Sequence, residues 1–195
     1  MQKKRIIVGV SGASGMPVAV ALLEALRRLP DWETHLIFSR DAERTLICET
    51  ELTPDALRAL ATCSHEPENT GAAVASGTFR TEGMLVVPCS MKSLAGIACG
   101  YADNLLLRAA DVCLKERRPL VLAVRETPLH AVHLANMERL ARMGVVIMPL
   151  MMGFYGRPRS IEDMTRHMVG KLMDVFGLEL PGFRRWGECT DASAL

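Results

Sequence analysis

Apolar and polar positions divide most of this chain into short continuous apolar runs separated by stretches with helical spacing. Residues 4–10 (KRIIVGV), 33–39 (ETHLIFS), 83–90 (GMLVVPCS), 119–125 (PLVLAVR) and 144–150 (GVVIMPL) read as five strands. Unbroken apolar runs, rather than strict alternation, mark strands covered on both faces. Between them, residues 16–28, 41–49, 53–62, 103–117, 130–143 and 161–176 read as helices, and SLAGIACG (93–100) begins a shorter one. Leu105, Ala109 and Val112 form a helical stripe that ends in Lys115-Glu116-Arg117-Arg118. Ser160 and Asp163 make a capping box for the last helix, which stops at Gly177. Residues 63–78 (CSHEPENTGAAVASGT) are polar and small, and read as a loop. Strands alternating with helices predict an α/β fold, an open, mainly parallel, Rossmann-like three-layer sandwich. No repeat or linker divides the chain, so one domain over 1–195 is expected, with a core at about 4–177 and a tail at 178–195.

Composition narrows the partners. Hydrophobic residues make up 49% and charged ones 23%, and the formal net charge is +1. That balance argues against disorder, a nucleic-acid surface or an acidic partner. The mean hydropathy of +0.16, with twelve methionines behind it, suits a protein that hides apolar surface in an oligomer. Lys3-Lys4-Arg5 before an apolar stretch imitates a signal peptide, but glycines interrupt the run and Glu24, Arg27 and Arg28 follow it. No segment approaches the roughly 18 apolar residues of a membrane span, so the cytoplasm is the default expectation. The six cysteines (48, 63, 89, 99, 113, 189) include no C-x-x-C pair and read as small buried hydrophobes.

In open parallel sheets, ligands collect at the carboxyl ends of the strands. After the first strand stands GVSGASG (9–15), whose glycines let backbone N–H groups turn toward an anion. Its G-x-x-G-x-x-G spacing is not that of a dinucleotide site, and no Lys-Ser/Thr pair follows as in a P-loop. Ser39 follows the second strand and Ser90-Met91-Lys92-Ser93 the third. Ser90 reads alone as an ordinary helix N-cap; beside GASG, it points to a shared phosphate or a flavin edge. After the fourth strand come Arg125-Glu126-Thr127-Pro128, with Thr127 as a helix N-cap and Pro128 as the first helical residue. Arginine there suits a phosphate and glutamate a proton transfer. Glu49 and Lys115 read individually as solvated helix-end charges, and Cys89 as a packed thiol without a partner histidine. His130 and His133 lack a third ligand for a metal. Tyr155 and Arg157, after the fifth strand, either close a loop or bind phosphate.

Together GVSGASG, Ser39, PCSMKSLAGIA, RAADVCLKERRPLVLAVRETPLH and GFYGRPRSIEDM resemble the UbiX/Pad-type flavin prenyltransferases, from about residue 4 to Trp186. The resemblance implies a homododecamer with active sites at subunit junctions. It implies that reduced FMN is held by Gly12, Ala13, Ser14, Ser39, Ser90, Met91, Lys92, Ser93 and Arg125. It places dimethylallyl phosphate on Lys115, Arg125, Tyr155 and Lys171, with Arg108 and the Ser76-Gly77 turn. The prenyl group passes to flavin N5 and a ring closes onto C6. Glu49, Glu126 and Ser14 manage the protons, and no metal is required. The prenylated FMN product serves a UbiD-type decarboxylase of aromatic acids.

Three departures from the family pattern stand out. Met16-Pro17-Val18 follow the glycine loop where an aromatic is usual, Lys171 replaces an arginine, and no tryptophan lies near residue 70. Two alternatives remain at this level. One is a non-catalytic FMN carrier or decarboxylase partner subunit. The other is an FMN-dependent cysteinyl decarboxylase, whose PxMNxxMW-like stretch corresponds here to PCSMKSLAG.

Overall fold

The apolar runs form the expected sheet, with one strand more than the pattern predicts. A computed structural model describes residues 3–187. The chain divides into two compact units, Met1–Leu150 and Met151–Leu195. In the first, the elements in order are β1 (Lys4–Val10), α1 (Met16–Arg27), β2 (Trp32–Phe38), α2 (Arg40–Glu49), α3 (Pro54–Arg58) and β3 (Cys63–His65). There follow β4 (Gly83–Cys89), α4 (Met91–Cys99), α5 (Leu105–Lys115), β5 (Leu120–Val124), α6 (Ala131–Arg142) and β6 (Val146–Ile147). The strands pair in parallel in the order β3-β2-β1-β4-β5-β6. This is the doubly wound order, whose direction reverses between β1 and β4, so the ligand crevice belongs at their carboxyl ends.

Alternate residues of the strands face opposite layers. Ile7, Ile37, Met84, Val86 and Leu122 pack in one core with Leu94 of α4, Leu106 and Ala109 of α5, and Leu140 of α6. Ile6, Val8, Leu36 and Leu85, of the other parity, are also fully buried. Right-handed crossovers put α1, which touches β2 and β4, on that second face. All seven residues of β4 are buried, as a central parallel strand requires.

Four local readings need correction. The supposed loop at 63–78 opens with β3, a three-residue edge strand that a polar CSH sequence conceals. Its pairing comes from the neighbouring β2 backbone rather than from its own apolar pattern. The helical run at 53–62 contracts to Pro54–Arg58, and the last strand to Val146–Ile147. Thr127 is not an N-cap. The helix begins at Ala131, where the His130 ring accepts from the His133 amide at 3.4 Å, while the Thr127 amide donates to Glu126 Oε1 at 2.9 Å. Two capping-competent residues lay near this turn, and backbone geometry rather than propensity chose between them.

The second unit carries α7 (Ile161–Asp174), capped by the Ser160 hydroxyl as its capping box predicts. Of the expected C-terminal tail, residues 188–195, Cys189 among them, lie outside the described residues. Among the described residues, no helix is long and apolar enough to cross a membrane.

Candidate functional site

The loop after β1 meets an anion of its own chain. Gly15 N and Met16 N, at the start of α1, both donate to Glu49 Oε2 at 2.8 Å. The hydroxyl of Ser14 hydrogen-bonds the same carboxylate, and Arg125 acts on it through space. Half-burial raises the Glu49 pKa, but these three kinds of partner outweigh it, so the net shift is downward and the group stays ionised. A carboxylate on the first amides of a helix also meets the positive end of its dipole. Glu49, which reads in sequence as a solvated helix-end charge, is therefore a fixed negative charge under the glycine loop.

Two glycines make that approach possible. Gly15 has φ 123°, and a Cβ there would lie 2.8 Å from Leu150 Cδ1. A Cβ on Gly12 would lie 2.6 Å from Asp41 Cβ, so only glycine lets the loop close over the start of α2.

The serines at the neighbouring strand ends are organised as the sequence indicates. Ser39 caps α2 by accepting from the Ala42 amide, and its own amide donates to Val10 O at 3.1 Å. Ser90 caps α4 by accepting from Ser93 N at 3.3 Å, and its hydroxyl donates to Ser93 Oγ at 3.2 Å. Buried Ser11 ties the two loops together, donating to Pro88 O at 2.9 Å and accepting from Ser90 N at 2.8 Å. Capping uses a hydroxyl lone pair, so Ser39 and Ser93 each keep an O–H to donate outward. Lys92, paired at 3.7 Å with Asp41, and exposed Arg125 add positive charge. Hydroxyls at two helix N-termini, flanked by two cations, fit a phosphate ester such as that of FMN.

Other residues fall into place differently. Glu126 is exposed on the loop after β5. Cys89 is fully buried, and burial pushes its thiol up to about 12, which removes it as a nucleophile. Lys115 ends α5, only a short turn before β5 begins, and so lies at the amino end of the sheet. It pairs with Glu116 there, and Gly77 packs against both side chains. Ser76, at the same turn, shares a hydrogen with Thr78 at 2.9 Å. Arg108 stands two turns back along the same face of α5 and pairs with Asp111 at 2.6 Å. The seven-residue β4 spans roughly 23 Å, so Lys115, Ser76 and Gly77 do not meet Ser14 or Ser90 within one chain.

In the second unit, the Tyr155 hydroxyl lies 3.1 Å from His167 Nε2, and its ring stands edge-on to Trp186 with centroids 5.3 Å apart. Lys171, one helical turn beyond His167, is exposed. Sequence reading missed His167 as a partner of Tyr155. Its spacing of four from Lys171 on α7 was the available signal.

Residues 1–173 match the family model described as Flavoprotein. Flavin prenyltransferase UbiX of Escherichia coli (strain K12) is 50% identical over 185 residues, covering 94% of this chain and 98% of the relative. The crystal structure of a dodecameric FMN-dependent UbiX-like decarboxylase from E. coli O157:H7 superposes with TM-score 0.92 at 52% identity, covering 93% of this chain and 98% of that one. AnUbiX (PadA1), solved with FMN and dimethylallyl pyrophosphate, superposes with TM-score 0.92 at 48% identity, covering 94% and 97%.

Proposed function

This chain belongs to the flavoprotein family and, within it, to the UbiX-type flavin prenyltransferases, and from that membership we propose that it prenylates reduced FMN with dimethylallyl phosphate. The observation that carries the reading is the near full-length likeness to a relative solved with both FMN and a dimethylallyl donor. When bound, reduced FMN supplies the electron-rich ring atoms that accept the prenyl group.

The chain's own residues do the rest. Gly12, Ala13, Ser14, Ser39 and the segment Ser90 to Ser93 seat the flavin at the carboxyl ends of β1, β2 and β4. Breaking the allylic C–O bond leaves negative charge on the departing phosphate, and Arg125 stands where it neutralises that charge. Glu49 is ionised at neutral pH and already accepts hydrogen bonds, so its role is that of acceptor: it fixes Ser14 and takes a proton rather than giving one. Glu126, exposed on the loop after β5 with Oε1 accepting from the Thr127 amide, donates to the leaving phosphate or takes the C6 proton.

Lys115, Ser76, Gly77 and Arg108 complete the phosphate clamp from a neighbouring copy, because their own chain carries them away from its own carboxyl-end site. Tyr155, held by His167, and Lys171 supply a phenol and a cation for the donor's phosphate. Lys171 keeps the charge of the usual arginine without its bidentate fork, which lowers phosphate affinity. We take the assembly to be a cytoplasmic dodecamer and the product's recipient to be a UbiD-type decarboxylase.

The test is anaerobic incubation of purified protein with reduced FMN and dimethylallyl phosphate, followed by mass spectrometry of the released flavin. A flavin heavier by one prenyl unit is expected. Unmodified FMN from both the monophosphate and the pyrophosphate donor would reduce the chain to a flavin carrier.

A further inference from the structure

The edge strand that the sequence conceals assembles a cluster unrelated to the flavin site. In the parallel register His35 of β2 lies opposite Cys63 of β3, and Ile37 lies opposite His65. His35, Cys63 and His65 therefore share one face of the sheet, since strand residues two apart point the same way. Their ligand atoms, one from each residue, all lie within 4.8 Å of one another. His35 Nδ1 and His65 Nε2 are 3.0 Å apart, and the two rings stack with an interplanar angle of 14°. Phe79 closes the site edge-on to His35 with centroids 5.2 Å apart.

As it stands, the cluster is chemically unfinished. One of the two facing ring nitrogens donates and the other accepts, so a single proton occupies the position between them. His35 is only 8% exposed, yet its Nε2 has no hydrogen-bond partner. A buried polar group left without a partner is strongly disfavoured. A cation that replaces the shared proton takes the lone pairs of both facing nitrogens, His35 Nδ1 and His65 Nε2, and a His35 bound through Nδ1 carries its proton on Nε2.

We propose that His35, Cys63 and His65 form a Zn²⁺ site with three protein ligands and a fourth position open to water. Two imidazoles and a thiolate are a donor set that zinc favours, with bonds of about 2.0–2.1 Å to nitrogen and about 2.3 Å to sulfur. Cys63 and His65 are half-exposed, so their side chains have room to close the last distance while buried His35 stays fixed. Hard cations such as Mg²⁺ prefer oxygen and find none in this ligand set. Zinc here ties the three-residue β3 to β2 and anchors the start of the segment that leads to the Ser76-Gly77 turn. It is a structural clamp, outside the proposed chemistry, and does not depend on it.

The test is titration of the reduced, metal-free full-length protein with Co²⁺ and then with Zn²⁺ in competition. A near-ultraviolet thiolate-to-Co²⁺ charge-transfer band is expected at one equivalent and is displaced by Zn²⁺. Cys63→Ser, a near-isosteric change, should abolish the band, and His65→Gln should weaken Zn²⁺ binding about 100-fold or more, since even supporting groups around a metal carry 10- to 100-fold effects. The double variant Cys48→Ser/Cys99→Ser, at two exposed thiols elsewhere, should keep the band. Zn²⁺ should raise the melting temperature of the parent protein and leave that of Cys63→Ser unmoved. Absence of the band, its survival in Cys63→Ser, or unchanged Zn²⁺ affinity in His65→Gln would overturn the assignment.

Discussion

The two ends of the parallel sheet use the same residue chemistry for different purposes. At the carboxyl end, Ser39 and Ser90 cap helices with their lone pairs, Ser39 and Ser93 keep hydroxyl hydrogens outward, and Glu49 neutralises the first turn of α1. At the amino end, Lys115 and Arg118 are engaged by Glu116 and by backbone carbonyls of residues 77 and 79. Both ends hold groups that suit a phosphate, yet one chain cannot bring them to a single ligand. If the prenyl-phosphate site is built from both ends, it needs two copies, and assembly is then part of catalysis rather than a storage state.

The largest effects should come from breaking each end separately. Arg125→Ala at the carboxyl end and Lys115→Ala at the amino end should each lower prenyl transfer by roughly 100- to 1000-fold, the scale for removing a charge-stabilising group from a transition state. Unfolding and mixing the two inactive proteins, then reassembling them, should restore about one quarter of parental activity, because a site drawing one end from each of two copies is intact in that fraction of random pairings. Mass spectrometry of the flavin product measures it. No recovery would mean that both residues act within one chain, against the topology.

Glu49→Gln comes next and sharpens the carboxyl-end account. It keeps an acceptor for Gly15 and Met16 but removes the charge, and turnover should fall about 100-fold while FMN still binds, as for loss of a positioned proton acceptor. The same group sets a pH dependence of stability. Its folded pKa lies below the unfolded value, so its stabilisation is full above that unfolded value and is lost as pH falls through the folded one. Denaturant titrations of the parent should therefore weaken below about pH 4.5 by more than those of Glu49→Gln, given the ordinary glutamate range. Equal acid sensitivity in both proteins would show that the charge does not stabilise the fold.

How much of this was legible beforehand depends on the range of the interaction. Glycine loop, strand-end serines and Arg125 are local signals, each marked by a change from apolar run to turn residues, and they lie where the pattern put them. Glu49 was legible only through the family resemblance, because its partners stand 33 and 34 residues away and only the packing of α2 beside α1 brings them together. The grouping of His35, Cys63 and His65 was not legible, since a three-residue edge strand with no apolar period leaves no trace in sequence. The distance between Lys115 and Ser14 was hidden for the opposite reason: the family motif names both but says nothing of which copy supplies them.

Gly15→Ala tests the backbone rather than the charges. Its φ of 123° is hostile to a side chain, and the added Cβ meets Leu150 at 2.8 Å. Strain of this kind costs about 1–3 kcal/mol. The variant should lose that much stability in urea and should also loosen the Glu49 contact, so FMN affinity falls with it. Gly77, at the amino end, is not equivalent to this one: a Cβ there meets only flexible Lys115 and Glu116 side chains, and Gly77→Ala should cost less.

The smallest expected effect separates capping from ligand binding. Ser90→Ala removes the hydroxyl that accepts from Ser93 N, and loss of a helix N-cap costs about 1 kcal/mol. Ser39→Ala removes the equivalent cap of α2, at 3.3 Å from the Ala42 amide, for a similar cost. If the outward hydroxyl hydrogen of Ser39 binds the flavin, FMN affinity should fall in Ser39→Ala beyond the stability loss, by about tenfold for one hydrogen bond to a charged group, and by less in Ser90→Ala, whose hydroxyl hydrogen is held by Ser93 Oγ. Lys115→Ala, at the far end, should leave FMN affinity alone while abolishing turnover. Isothermal titration of FMN against the three variants separates these outcomes, and a weaker FMN complex in Lys115→Ala would mean that the amino end of a neighbouring copy already touches the flavin before the prenyl donor arrives.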